Sequence, residues 1–366
     1  MKYIIREKVR NSDQYHAGSK AKKDMEFIFE NQGGTIVDTE VPITDASKGH
    51  YCKKLFQQFS LLKCWNTCFK NFNSNDCVFI QYPPAGHTVF IGQLLKKFRK
   101  KNIHFVAVIH DIDSIRVQNS RFRSKANKIM TKLKDKSALC NFDFIIVHNE
   151  KMRAYLQNYY RISENKMVNL RIFDYILNPD FISPFSAESR FNQHSIAIAG
   201  NLIKSKAGYV YSLPNDVRFD LFGPNYDGDK NENVNYKGTF LPEELPFNLS
   251  STFGLVWDGT NIDTCADGFG NYLKYNNPHK TSLYLASNLP IIIWKDAALA
   301  EFVVENKIGF AVDSLKEIAL LMEKLTFSEY EEIYNNVLVV GEQIRRGVFG
   351  RSAIKDINKR VFNNEC

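Results

Sequence analysis

Two stretches of this chain combine residue types and spacings that can do chemistry. The first is Tyr275-Asn276-Asn277-Pro278-His279-Lys280-Thr281, a polar run that leads into Ser282-Leu283-Tyr284-Leu285-Ala286 and then Pro290-Ile291-Ile292-Ile293. The pattern predicts a loop, a helix with Asn277 as N-cap and Pro278 as first residue, and then a buried strand. Backbone N–H groups at a helix start, the positive end of its dipole and the Lys280 ammonium together suit an anion, and a diphosphate fits there. The second stretch is His110-Asp111-Ile112-Asp113-Ser114-Ile115-Arg116, directly after an apolar run at 103–109. A base that takes a proton from an attacking hydroxyl needs a carboxylate or an imidazole at a strand end. Asp111 is the first candidate and Asp113 the second, with His110 completing the group. Alternation at a strand end lets Asp111 and Asp113 face one way and His110 another. A helix-capping turn at Asp113 and Ser114 is the plain alternative, and Arg116 either meets a substrate or pairs with Asp113.

Elements of a definite kind must position these residues. Apolar runs of strand length recur at 3–5, 35–37, 77–81, 103–109, 144–147 and 168–172, separated by amphipathic segments of helical length. Rich in Val, Ile and Phe and without alternation, they read as parallel strands covered on both faces. After a polar break from Asn178 to Gln193 the rhythm resumes at 196–199, 219–222, 254–257, 291–294 and 309–312. The expected fold is therefore α/β, with two Rossmann-like doubly wound domains: residues 1–178, residues 179–345, and a final segment 346–366 whose helix spans 352–362. Two such sheets facing a central cleft would receive ligands at the carboxyl ends of their strands. Those ends carry His110, then His148-Asn149-Glu150, Gly200-Asn201 and Asp258.

Composition narrows the class. The chain has 366 residues, 44% apolar and 24% charged, which suits a soluble globular protein of two domains. The apolar run at the N-terminus is too short for a signal peptide and none reaches a membrane span, so a cytoplasmic protein is expected. Seven scattered cysteines, with no CxxC pair, fit reduced thiols, and Cys64 and Cys68 have no partners that would complete a zinc site. No metal site is expected. His87, His104 and His194 stand alone and read as ordinary surface or core residues, as Trp257 and Trp294 read as core. The net charge of +8 is concentrated in 96–101 and in 121–136, where seven Lys or Arg face one Asp with Phe122, Ile129, Met130 and Leu133 interleaved. A basic amphipathic helix of this kind can rest on an anionic leaflet, which would make the protein peripheral at the inner face of the membrane; a solvated helix face is the bland alternative.

The ordered set of motifs resembles a known group. Val108-Ile109-His110-Asp111-Ile112-Asp113, Phe144-Ile145-Ile146-Val147-His148-Asn149, Gly200-Asn201 ahead of Lys204, Asn235-Tyr236, Phe253 to Trp257, and His279-Lys280 through Pro290 look like the bacterial galactofuranosyltransferase-like group of GT-B glycosyltransferases. The order is similar in the glucosyltransferases that extend O-linked N-acetylglucosamine on serine-rich adhesins. The resemblance implies that the Gly18-Ser19 loop approaches donor phosphates, that Lys204 and Lys280 bind the diphosphate, and that Tyr236 with Lys237 and Gly238 holds uridine. Gly200, Asn201, Asp258, Asn277 and His279 complete the implied donor set. Lys204 stands where the adhesin enzymes tend to have Arg, so a point charge replaces a bidentate fork. Retaining relatives carry paired glutamates before the Pro-containing step; between Asp263 and Leu289 this chain has none, which favours inversion. The implied activity is metal-independent transfer of a hexosyl unit, galactofuranosyl or glucosyl, from a UDP-sugar to a hydroxyl of a glycan, lipid-linked saccharide or glycoprotein. No cofactor beyond the donor is expected, and homo-oligomers occur in the group. A nucleic-acid or anionic-surface binding protein, suggested by a pI near 8.9, is the alternative from another class, although the chain shows no nucleic-acid motif. A UDP-sugar epimerase of the same fold is the third reading.

Overall fold

The structure, a computed structural model, describes residues 1–9, 17–42, 51–85, 88–116, 124–178, 180–229 and 232–362. Arg121, Phe122, His87, Pro179 and Cys366 fall outside the described residues. Strands β1 (Lys2–Val9), β2 (Thr35–Val41), β3 (Cys77–Tyr82), β4 (His104–Ile109), β5 (Phe144–Val147) and β6 (Met167–Asn169) form one parallel sheet in the order β2-β1-β3-β4-β5-β6. Every residue of β3 is buried, as is β4 beyond His104. Helices Ala17–Glu30, Tyr51–Phe69, Ile91–Arg99 and Lys125–Leu139 supply the crossovers that a parallel pairing requires.

A second parallel sheet holds β7 (Ser195–Ala199), β8 (Arg218–Phe222), β9 (Val234–Gly238), β10 (Phe253–Val256), β11 (Ile291–Trp294) and β12 (Gly309–Val312) in the order β12-β11-β10-β7-β8-β9. It has six strands where the apolar runs announced five. The extra one, β9, reads Val-Asn-Tyr-Lys-Gly and is exposed over Asn235, Tyr236 and Lys237, because an edge strand needs one partner and little apolar surface.

The chain divides into two compact units, the first made of the N-terminal part up to Arg171 together with Gly350–Cys366, the second of Ile172–Phe349. The change falls ahead of the polar break at which residue 179 was expected to open the second domain. Two hydrogen bonds explain it: Ser282 Oγ donates to Phe173 O at 2.7 Å and Tyr175 N to Ile344 O at 3.3 Å, fixing this strap in the second unit. The final helix, Val348–Phe362, hands its residues from Gly350 onward to the first unit, where Arg360 donates to Asn165 O at 2.7 Å.

Each sheet reverses its strand order once, between β1 and β3 in the first unit and between β7 and β10 in the second. Crevices outside the carboxyl ends of strands at such points are where doubly wound sheets take their ligands.

Candidate functional site

At the switch point of the second unit, β7 ends in Gly200-Asn201 and β10 in Trp257-Asp258. The segment after β7 folds onto the segment after β10: Gly259 N donates to Lys206 O at 3.1 Å and Ala207 bridges Gly259. Gly200 has φ +144°, and a Cβ on Gly223, itself at φ +139°, would stand 1.8 Å from Gly200 O. Only glycine lets the ends of β7 and β8 close to that distance.

The helix His279–Ala286 docks on this crevice through Tyr284. Gly254 of β10 leaves room for its ring, since a Cβ there would lie 2.4 Å from it. The fully buried Tyr284 hydroxyl accepts from Ala199 N at 2.8 Å, at the very end of β7. One turn earlier on the same face stands Lys280, whose Nζ donates to Trp257 O at 2.8 Å and to Asp258 Oδ1 at 2.9 Å. Their side chains are 17% and 19% exposed, so little water screens this pair.

The start of the helix differs by one residue from the sequence expectation. Pro278, with ψ 129°, is the N-cap and His279 the first helical residue, with Asn277 one step outside and buried. An extended Pro278 postpones the turn, and the first helical bond runs from Thr281 N to Pro278 O at 3.0 Å. Pro278 itself makes no side-chain cap hydrogen bond. Two buried polar atoms beside it lack hydrogen-bond partners, Thr281 Oγ1 and Asn276 Oδ1, and Thr281 is wholly buried. An unmet buried polar atom costs about 1–3 kcal/mol. His279 has structural company: its ring stacks on Tyr175 at 5.0 Å and meets Asp174 O at 3.3 Å.

Other members of the implied donor set line the neighbouring strand ends. Asn201 accepts from Ile203 N at 3.1 Å and Asn225 Nδ2 at 3.0 Å, fixing the loop that carries Lys204. Lys204 is exposed and its Nζ lies 5.4 Å above the Tyr211 ring. Tyr211, Tyr226 and Tyr236 follow one another with centroids 5.5 and 5.4 Å apart, and Tyr236 donates to Gly223 O at 2.9 Å. Lys237 reaches Asp220 at 3.6 Å, and Gly238 O accepts from Gly223 N at 2.8 Å. In the first unit, Gly18 and Ser19 lie in the first turn of the helix Ala17–Glu30 rather than in a loop, because that helix begins at Ala17; the loop itself lies outside the described residues.

His110 follows β4, and its Nε2 is 2.9 Å from Gln81 Oε1. Gln81 Nε2 in turn donates to Glu26 Oε1 at 2.8 Å, and burial raises the pKa of Glu26. The orientation of the amide decides the tautomer. With its N–H turned to the Glu26 carboxyl, Gln81 offers His110 an oxygen, which only accepts, so Nε2 carries a proton. Asp111 and Asp113 both face Arg116, at 3.0 and 3.5 Å, so Arg116 pairs with each carboxylate. Asp113 opens a four-residue helix, Asp113–Arg116, and its neighbour Ser114 donates from its backbone N to Asp135 at 2.7 Å. Asp135 also accepts from Tyr82 Oη at 2.7 Å. His148, after β5, is fully enclosed with Nε2 3.0 Å from Ile109 O, and burial pushes its pKa down to about 4. Gln81, Glu26, Asp135 and Thr281 were not singled out from the sequence. Gln81 alone carried a signal, a polar residue inside the run Val78-Phe79-Ile80-Gln81-Tyr82.

Two family models match nearly the whole chain between them: the glucosyltransferase 3-like N-terminal domain over residues 1–172 and the glucosyltransferase 3-like C-terminal domain over residues 196–357. The chain belongs to the glucosyltransferase 3-like family. Within reach of this family is a β-1,6-galactofuranosyltransferase of Escherichia coli, WbbI, 32% identical over 355 residues that cover 95% of this chain and 96% of the relative. Glucosyltransferase 3 of Streptococcus gordonii is 27% identical over 289 residues, covering 79% of this chain and 80% of the relative. Among solved structures, a sucrose-phosphate synthase of Thermosynechococcus elongatus superposes with a TM-score of 0.66 at 12% identity, covering 100% of both chains. The lipopolysaccharide outer core galactosyltransferase WaaB superposes with a TM-score of 0.63 at 10% identity, again over 100% of each chain. These likenesses confirm a GT-B fold of two Rossmann-like units, and the protein of this family is a glycosyltransferase.

Proposed function

We propose that the protein transfers a hexosyl unit, galactofuranosyl or glucosyl, from a UDP-sugar to a hydroxyl of a glycan, lipid-linked saccharide or glycoprotein. The observation that carries this reading is the β7/β10 switch point. There the Lys280 ammonium and a helix start whose N-cap is a proline gather beside the loop that follows Gly200. A diphosphate supplies acceptor oxygens to the backbone N–H groups of the helix start and to the Lys280 ammonium, in exchange for Asp258. Tyr236 and Tyr226 offer a flat face to the uracil ring, and Lys204 on its exposed loop adds a second cation. The donor sugars are those named in the two relatives, which is why these two lead.

Transfer proceeds with inversion by a single displacement in this reading. The acceptor oxygen attacks C1 of the sugar, the C1–O bond to the diphosphate breaks, and UDP leaves with both electrons of that bond. A base beside the strand end takes the hydroxyl proton, Asp111 first and His110, whose orientation Gln81 and Glu26 hold, as the rival, while Arg116 holds Asp111 and Asp113 in place. To act, Asp111 has first to leave Arg116. Charge growing on the UDP meets Lys280 and the helix start, which do the work a divalent ion does elsewhere. Transfer without metal follows.

The test is a screen of UDP-sugars against glycan, lipid-linked and peptide-linked acceptors, read by mass spectrometry in the presence of a chelator. Product with UDP-galactofuranose or UDP-glucose under those conditions supports the proposal. Activity that the chelator abolishes refutes metal independence, and conversion of the UDP-sugar to an isomeric UDP-sugar without acceptor, with no free UDP, points to the epimerase alternative.

A further inference from the structure

The helix Lys125–Leu139 has two faces of opposite character. Its inner face buries Asp135, Ala138 and Leu139. Its outer face leaves Ile129 60%, Met130 59% and Leu133 56% exposed, one helical turn of large apolar side chains turned to solvent. Lys125, Lys132 and Lys136 lie along the edge of that stripe, at helical spacing from Ile129. Lys132 Nζ also lies 5.5 Å over the ring of Tyr159, which is 54% exposed and extends the apolar patch. The one carboxylate of the helix, Asp135, is wholly buried, so the outer face carries cations, apolar groups and neutral polar groups but no negative charge of its own.

We propose that this face docks on the anionic headgroup layer of a lipid bilayer, with the helix lying in the interface plane. Apolar residues framed by lysines suit that layer, where Ile129, Met130 and Leu133 enter the acyl boundary and the ammonium groups remain among lipid phosphates. A second copy of this chain is disfavoured as occupant, because a symmetric contact would set lysine against lysine. The same helix holds the loop of Asp111 and Asp113 from inside, through Asp135 and Ser114 N at 2.7 Å. Docking would therefore fix that loop beside the membrane surface. The binding itself does not depend on the transfer reading.

The experiment is flotation of the full chain with vesicles of phosphatidylcholine alone and of phosphatidylcholine mixed with phosphatidylglycerol, at low and high salt. Binding to the anionic vesicles only, weakened by salt, is expected. The triple variant Lys125→Glu, Lys132→Glu, Lys136→Glu should lower partitioning by at least about a hundredfold, from about fivefold for each lysine lost and further repulsion from each glutamate added. Ile129→Ser with Leu133→Ser should also lower it, with the melting temperature of both variants near that of the parent. Absence of binding, equal binding to neutral vesicles, or variants that bind like the parent would overturn the proposal. So would a dimer in analytical ultracentrifugation that Ile129→Ser with Leu133→Ser dissociates.

Discussion

Replacing Lys280 by Met removes one ammonium from the switch-point site while keeping most of its apolar stem. At 2.9 Å and an effective dielectric near 20, Lys280 and Asp258 attract by about 6 kcal/mol before desolvation is counted. Most of that offsets the cost of taking both groups out of water, which leaves a net contribution of about 1–3 kcal/mol per charge-assisted hydrogen bond. A diphosphate oxygen at the same ammonium gains on the same scale, so UDP affinity should fall about 10- to 100-fold. Because charge on the leaving group grows toward the transition state, kcat/KM should fall further, by about 10²–10³. Isothermal titration with UDP and steady-state kinetics read the two effects separately. The double variant Lys280→Met with Asp258→Asn is decisive. It no longer buries an unpaired carboxylate, so its stability should recover while UDP binding stays weak. Full recovery of UDP binding in the double variant would mean that Lys280 serves only to neutralise Asp258, and the reasoning would fail.

Gln81→Leu should lower kcat about 10- to 100-fold with KM little changed and shift the pH–rate profile, because His110 loses the partner that sets its tautomer; an unaltered profile would remove Gln81 and Glu26 from the mechanism. His148 titrates from 6.5 unfolded to about 4 folded, so the unfolded chain binds the extra proton in that window. Stability from this residue is present above pH 6.5 and is lost as pH falls toward 4, by about 3 kcal/mol in all; denaturant unfolding across that range should show a slope that His148→Gln removes. Gly223→Ala places a Cβ against Gly200 O in a left-handed backbone and should cost at least about 2 kcal/mol, read as a lowered melting temperature together with weakened UDP binding.

Strands that are buried on both faces declared themselves, since β3, β4, β5, β7, β10 and β11 all lie within or beside apolar runs of Val, Ile and Phe. The edge strand β9 did not, because its pairing is made by backbone groups that leave no mark on side-chain pattern. Lys280 was legible because a Pro-punctuated polar run ahead of a helix is a local signal, although the extended Pro278 moved the helix start by one residue. The partners Asp258 and Lys280 were each noted, but their ion pair joins residues 22 apart in sequence and required the fold. Glu26 and Asp135 stayed hidden for the same reason. Each is an ordinary acidic residue in an amphipathic helix until packing shows which side chain it faces, Gln81 at a separation of 55 and Tyr82 at a separation of 53.

A crystal structure with UDP bears most directly on the donor site. The account predicts a diphosphate oxygen within hydrogen-bonding distance of Lys280 Nζ and of the backbone N–H groups that open the helix His279–Ala286, with the uracil against Tyr236 or Tyr226. UDP bound elsewhere, with Lys280 still closed on Asp258 and the helix start empty, would contradict it.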